Sequence, residues 1–232
     1  MEEAQTLIDE WVANRDFTVS LRLSNLRLSE LPVLPDEVQI LYCGGNQLTQ
    51  LDNLPSGLQT LYCGFNQLTQ LDNLPSGLQE LHCSYNRIMH LDNLPSGLQT
   101  LYCNFNQLTQ LDNLPSGLQE FDCGFNQLTQ LDNLPSGLQT LDCGDNQLTQ
   151  LDNLPSGLQT LDCGLIETHI CNPAICSCHK FHTFYKHKIL SNVYDKHYNR
   201  VLGAILHEPN LAPMITQYID IPYKKCYELY ET

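Results

Sequence analysis

Leucine recurs along this chain with a period of 20 residues. In Leu61–Glu80, LYCGFNQLTQLDNLPSGLQE, the apolar positions are Leu61, Cys63, Leu68, Leu71, Leu74 and Leu78, and six near-identical copies of the unit fill residues 41–160. Leu61 and Cys63 alternate with Thr60, Tyr62 and Gly64, the period-2 signature of a short strand with one buried face. Asn66, Leu68, Leu71 and Leu74 then point inward at uneven spacing, and Pro75-Ser76-Gly77 turns the chain before Leu78 returns to the interior. So short a unit cannot hold a strand, a full helix and two turns, so the back of each coil is expected to be extended or a short 3₁₀ turn. One such coil cannot bury its apolar side alone and must stack on its neighbours. The expected fold is a solenoid of gentle curvature with one continuous parallel β-sheet.

The ends depart from the period. Residues 21–40 match it with substitutions, Leu21, Leu23, Leu28, Leu31, Leu34 and Val38 falling where Leu41, Cys43, Leu48, Leu51, Leu54 and Leu58 fall one period later, and Leu26 taking an asparagine slot. Before them, Ala4, Leu7, Ile8, Trp11 and Val12 share one side of a short amphipathic helix over 4–14, read as an N-terminal cap anchored by Trp11. After Gly164 the register fails. The domain reading is a capping helix in 1–20, a solenoid in 21–164 and a mainly helical C-terminal cap or small tail in 165–232, with helical spacing from about 188 to 207 ended by Glu208-Pro209.

Each column of the repeat has its own chemistry. Asn46, Asn66, Asn86, Asn106, Asn126 and Asn146 sit inward at the bend after the strand, where an amide can pair backbone groups that the sheet leaves over. Cys43 to Cys163 recur at one inward strand position, which makes them buried reduced thiols rather than a disulfide framework. The glycines two places after each proline, Gly57 to Gly157, are expected to supply a turn angle or a close approach between coils.

The outward columns vary most. One reads Tyr42, Tyr62, His82, Tyr102, Asp122, Asp142, Asp162; the one before it includes Glu80 and Glu120; a third, at the strand's C-terminal edge, reads Gly45, Phe65, Tyr85, Phe105, Phe125, Asp145, Leu165. Tyr42, Tyr62, His82, Tyr102, Glu120, Asp122, Asp142 and Asp162 are the candidate ligand-binding residues, aromatic early and acidic late. Broad aromatic area and acidic steering suit a protein partner with apolar and basic surface. Against this stands the plain reading, in which exposed Tyr and Asp are ordinary surface and the Phe column fills the bend. The aligned aspartates need either solvent screening or a cation or basic partner. A flat sheet without a pocket speaks against glycoside hydrolysis by these carboxylates.

Charge narrows the partner class. The net charge is −15, and within 41–160 Arg87 is the only Lys or Arg. Such a body repels nucleic acid and anionic membrane. The N-terminus MEEAQTLIDEW has no long apolar run, so neither a signal peptide nor a membrane span is expected, and the default address is intracellular and cytoplasmic, with delivery to a host cell or packaging in a virion leaving no such mark.

Residues 161–232 are neutral and carry six of the eight histidines. Cys171, Cys176, Cys178, His179 and His182 are candidate ligands of a structural zinc, though their spacing lacks a second distant pair of cysteines. The alternative is ordinary cysteines beside a histidine-rich turn. A thiol enzyme built on Cys176 or Cys178 with His179 or His182 is the third reading, disfavoured because adjacent side chains rarely converge. The expectation is no enzyme and no other cofactor.

Leu58–Leu78, with Leu58, Leu61, Cys63, Asn66 and Leu68 in an LxxLxCxxNxL core, resembles the leucine-rich repeats. The 20-residue length and the LPxxLxxL phrase from Leu74 to Leu81 are similar to the short bacterial subclass of the Yersinia M effector and the Shigella and Salmonella ubiquitin-ligase effectors. The cysteine-bearing, near-exact copies also resemble repeat proteins of large DNA viruses of amoebae. The resemblance implies a curved solenoid with an N-terminal helical cap and a concave strand face that binds proteins. Ligase activity does not carry over, because the tail is too short for that domain and no stretch matches it. The function expected is a non-enzymatic protein-interaction module; the alternative is a structural or assembly component, for instance of a viral particle.

Overall fold

The computed structural model describes residues 1–164 apart from 15, 17 and 152. One helix, α1 (Glu2–Asn14), precedes eight strands: β1 (Leu21–Arg22), β2 (Ile40–Tyr42), β3 (Thr60–Tyr62), β4 (Glu80–His82), β5 (Thr100–Tyr102), β6 (Glu120–Asp122), β7 (Thr140–Asp142) and β8 (Thr160–Asp162). They form one sheet in chain order, each neighbouring pair parallel. Register advances by one repeat per strand, so that Leu41 lies on Leu61, Tyr62 on His82, and Asp122 on Asp142. Among the described residues the back of each coil is turns joined by extended chain. This is the curved parallel solenoid expected from the period.

The strands are short because the alternation soon meets a bend. Phe65, Tyr85, Phe105 and Phe125 stand at φ between 52° and 56°, a left-handed conformation that breaks the pleat. The asparagine column rescues the backbone there. Asn106 Nδ2 donates to the carbonyls of Cys83 at 3.1 Å and Cys103 at 2.9 Å, while its Oδ1 accepts the Ile88 N–H at 3.0 Å. Asn66, Asn86, Asn126 and Asn146 repeat the pattern. Each asparagine therefore ties its own bend to the coil before it.

The interior is a column of leucines at positions such as Leu61, Leu68, Leu71 and Leu78, with Cys43, Cys63, Cys83, Cys103, Cys123, Cys143 and Cys163 beside them, all buried. No disulfide joins these seven thiols to one another. Burial pushes Cys43 and Cys83 up to about 12 and raises Cys63, Cys103, Cys123 and Cys143 too, so these are apolar filling rather than nucleophiles.

Two local expectations need correction. The Gly57 to Gly157 column is not left-handed, and a Cβ there would meet only ordinary contacts of 3.5 to 4.0 Å. The left-handed turn residue is instead Asn53, Asn73, Asn93, Asn113, Asn133 and Asn153, whose short polar side chain tolerates that backbone. The proline turn then closes by the Leu78 N–H donating to the Pro75 carbonyl at 3.1 Å. In α1, Ala4, Ile8 and Trp11 enter the same core as β1, but Val12 is exposed. Trp11 also donates Nε1–H to the Val19 carbonyl at 2.8 Å, pinning the link between α1 and β1.

No helix among the described residues is long and apolar enough to cross a membrane. The C-terminal segment 165–232, with its expected cap and the Cys171, Cys176, Cys178, His179 and His182 set, lies outside the described residues.

Candidate functional site

Parallel register stacks each outward column into a ladder about 4.8 Å per rung. In the central column Tyr42 and Tyr62 stack with centroids 4.3 Å apart, Tyr62 and His82 at 4.2 Å, and His82 and Tyr102 at 4.6 Å with the planes tilted by 44°. Arg22, one repeat earlier, lies over Tyr42 at 4.5 Å, closing that end by a cation–π contact. A second stack runs along the bend: Phe65, Tyr85, Phe105 and Phe125 at 4.1 to 4.2 Å, with ring planes nearly parallel. Gly44, Gly64, Ser84, Asn104 and Gly124 lie between the two. In both ladders ring faces are spent on each other, so a ligand meets mainly ring edges.

Polar groups cross-link this face between strands. Tyr62 donates its hydroxyl to Glu80 Oε1 at 3.1 Å, and Tyr102 donates to Glu120 Oε2 at 2.7 Å. His82 Nε2 stands 2.6 Å from the same Glu80 oxygen. The His82 bond holds the Glu80 carboxyl below its usual range, whereas burial first, aided by the neighbouring carboxylates, raises both tyrosines.

The acidic end has a different local cause. Asp122, Asp142 and Asp162 each turn Oδ1 back to accept the N–H of the glycine two residues on, at 3.0 Å. Asn104 donates Nδ2 to Asp122 Oδ2 at 2.5 Å. Asp122, expected to be accessible, is only 9% exposed: the Gly124 amide draws it down and Asn104 rises beside it where other repeats carry a smaller residue. Burial and then the Asp142 charge push its carboxyl well up, and burial and then Asp162 raise Asp142 to about 6. Asp145 is raised too, by burial and then Asp162.

Tyr42, Tyr62, His82, Tyr102, Glu120, Asp122, Asp142 and Asp162 thus occupy one sheet face, half-buried except for buried Asp122 and exposed Glu120. Three contributors lie outside these eight candidates. Glu80 repeats the Glu120 position two strands earlier, Arg22 occupies the tyrosine column in the atypical first repeat, and Asn104 replaces glycine one strand before the first aspartate. Each was visible as an exception within its column.

The family model for leucine-rich repeats in two copies matches residues 36–76, 96–136 and 116–156. No curated protein matches the chain. Among solved structures, the leucine-rich repeat domain of a Shigella effector is 29% identical with a TM-score of 0.56, the match covering 64% of this chain and 78% of that one. YopM from Yersinia enterocolitica is also 29% identical, at a TM-score of 0.59, over 75% of this chain and 44% of that one. The functional domain of InlJ from Listeria monocytogenes, which includes a cysteine ladder, is 35% identical at a TM-score of 0.53, over 62% of this chain and 34% of that one. This chain therefore spans under half of the YopM and InlJ structures it matches. The described residues form a leucine-rich repeat solenoid related to bacterial effector and other leucine-rich repeat proteins.

Proposed function

We propose that this solenoid is a non-enzymatic interaction module whose strand face binds a protein carrying apolar and basic side chains. The observation that carries the proposal is the juxtaposition on one face of two ring ladders and a run of carboxylates with no cation of their own: between Leu91 and Gly164 the chain has no Lys, Arg or His. A partner lysine or arginine would complete that charge pattern, and ring edges beside it would take aliphatic contact. The leucine-rich repeat fold supports the reading because it presents a concave sheet wide enough for another protein. The 20-residue repeat and the α1 contact with β1 support placement with the short effector-like subclass, with α1 as its N-terminal cap.

Calorimetric titration of the full chain with lysine- and leucine-rich peptides, and with charge-reversed controls, tests this. Binding of the basic set, weakened by salt and lowered at least about tenfold by combined Tyr62→Ser, Tyr102→Ser and Glu120→Gln, is expected. Equal binding of both sets, or no effect of the triple variant, would refute the face as the site.

A further inference from the structure

The aspartate ladder has an internal cost that the binding proposal does not explain. Asp122 sits on Asp142, and Asp142 on Asp162, in adjacent parallel strands. A Cβ added at Gly124 would lie 3.1 Å from Asp142 Oδ1 and 3.4 Å from Asp122 Oδ1, so both oxygens crowd one point that only glycine leaves open. Like charges directly opposite on paired strands repel, and burial of Asp122 removes the water that would screen them.

The surroundings offer no relief. Among the described residues, β5 faces the ladder with Asn104 and with the Tyr102 hydroxyl, which is already given to Glu120. β6 adds Glu120, the bend after β7 adds Asp145, and the buried Cys103, Cys123 and Cys143 lie on the core side of the same strands. Glu80 and His82 are paired with each other on β4. Asn104 Oδ1 is buried without a hydrogen-bond partner beside the Asp122 carboxyl. Among the described residues, every charged group near the ladder that is not already paired is an acid.

We propose that the Asp122, Asp142 and Asp162 carboxylates form a proton-responsive clasp on the C-terminal third of the sheet, firmest when it holds a proton and strained across β6, β7 and β8 when it ionises without a cation. Proton sharing between neighbouring carboxyls relieves the repulsion, and the raised titration of Asp122 and Asp142 agrees with the geometry. Because folding raises Asp122 and Asp142 above their unfolded value, the contribution of these two to stability is complete below the unfolded value of 3.8 and declines as pH rises, through about 6 for Asp142. The clasp operates whether or not the face binds a partner.

Urea unfolding of the full chain at pH 4.5 and 7.5 tests the clasp. Asp142→Asn, whose amide oxygen still accepts the Gly144 N–H, is expected to raise the folding equilibrium constant by on the order of a hundredfold at pH 7.5 and by only a few-fold at about pH 4.5. Asp122→Asn is expected to follow the same pattern. Equal effects at both pH values would mark mere repacking and overturn the proposal. Should either variant fail to fold, carboxyl-carbon NMR of aspartate-labelled wild type decides: an aspartate titrating near pH 6 supports the clasp, and all aspartates titrating below about pH 4.5 overturns it.

Discussion

Tyr62 on β3 donates its hydroxyl to Glu80 on β4, and two strands later Tyr102 on β5 does the same to Glu120 on β6. The alternation Thr60, Glu80, Thr100, Glu120 in one column and the tyrosines in the next place each donor one strand before its acceptor. Only the first pair also has a histidine, His82, against the carboxylate.

That difference gives Glu80 a distinctive pH signature. Its carboxyl is held low in the fold, chiefly by the His82 hydrogen bond, so its stabilising contribution is present above the unfolded value of 4.5 and is lost as pH falls through the lower folded value. His82→Gln should flatten this acid-side loss while leaving the decline between pH 4.5 and 7.5 in place. Thermal melting from pH 2.5 to 5 of wild type and variant measures it.

Asn106→Ala leaves the Cys83 and Cys103 carbonyls and the Ile88 N–H without their partner in a buried bend. The expected loss is about 3 kcal/mol, one to three for each unsatisfied buried group less what water recovers. Denaturant unfolding of the full chain reads this directly.

Phe105 combines a stack on both sides with φ of 52°. Phe105→Ala forfeits the stack and keeps the backbone strain, a loss of about 2 kcal/mol. Phe105→Gly forfeits the same stack but adopts the left-handed conformation freely, so it should be less destabilising than alanine by about 1 kcal/mol. In a regular strand the order would reverse, so the two melting temperatures test the bend geometry.

The seven cysteines of the repeat column should resist alkylation. With Cys43 and Cys83 pushed up to about 12 by burial, roughly one thiol in ten thousand is ionised at pH 8. Peptide mapping after iodoacetamide treatment is expected to show these positions unmodified in native protein and modified in urea. Labelling of Cys103 in native protein at the rate of a free thiol would contradict its placement in the core.

The period of 20 determined the repeat stack, the parallel register, the inward Leu, Cys and Asn columns and the short strand, because identical coils can share a core only by stacking in step. The same register brought the eight expected residues to one face. Which coil residue turns left-handed was not legible, since proline and glycine advertise a turn while the asparagine of LDN and the phenylalanine before the buried asparagine carry the strained angle. Nor was the burial of Asp122, because its exposure depends on Asn104 one strand away and on how far the Gly124 amide draws its carboxylate inward. A repeat specifies what each position does on average; the departures are decided between neighbouring coils, where side chains separated by 18 to 20 residues meet and only packing sets who is paired and who is left charged.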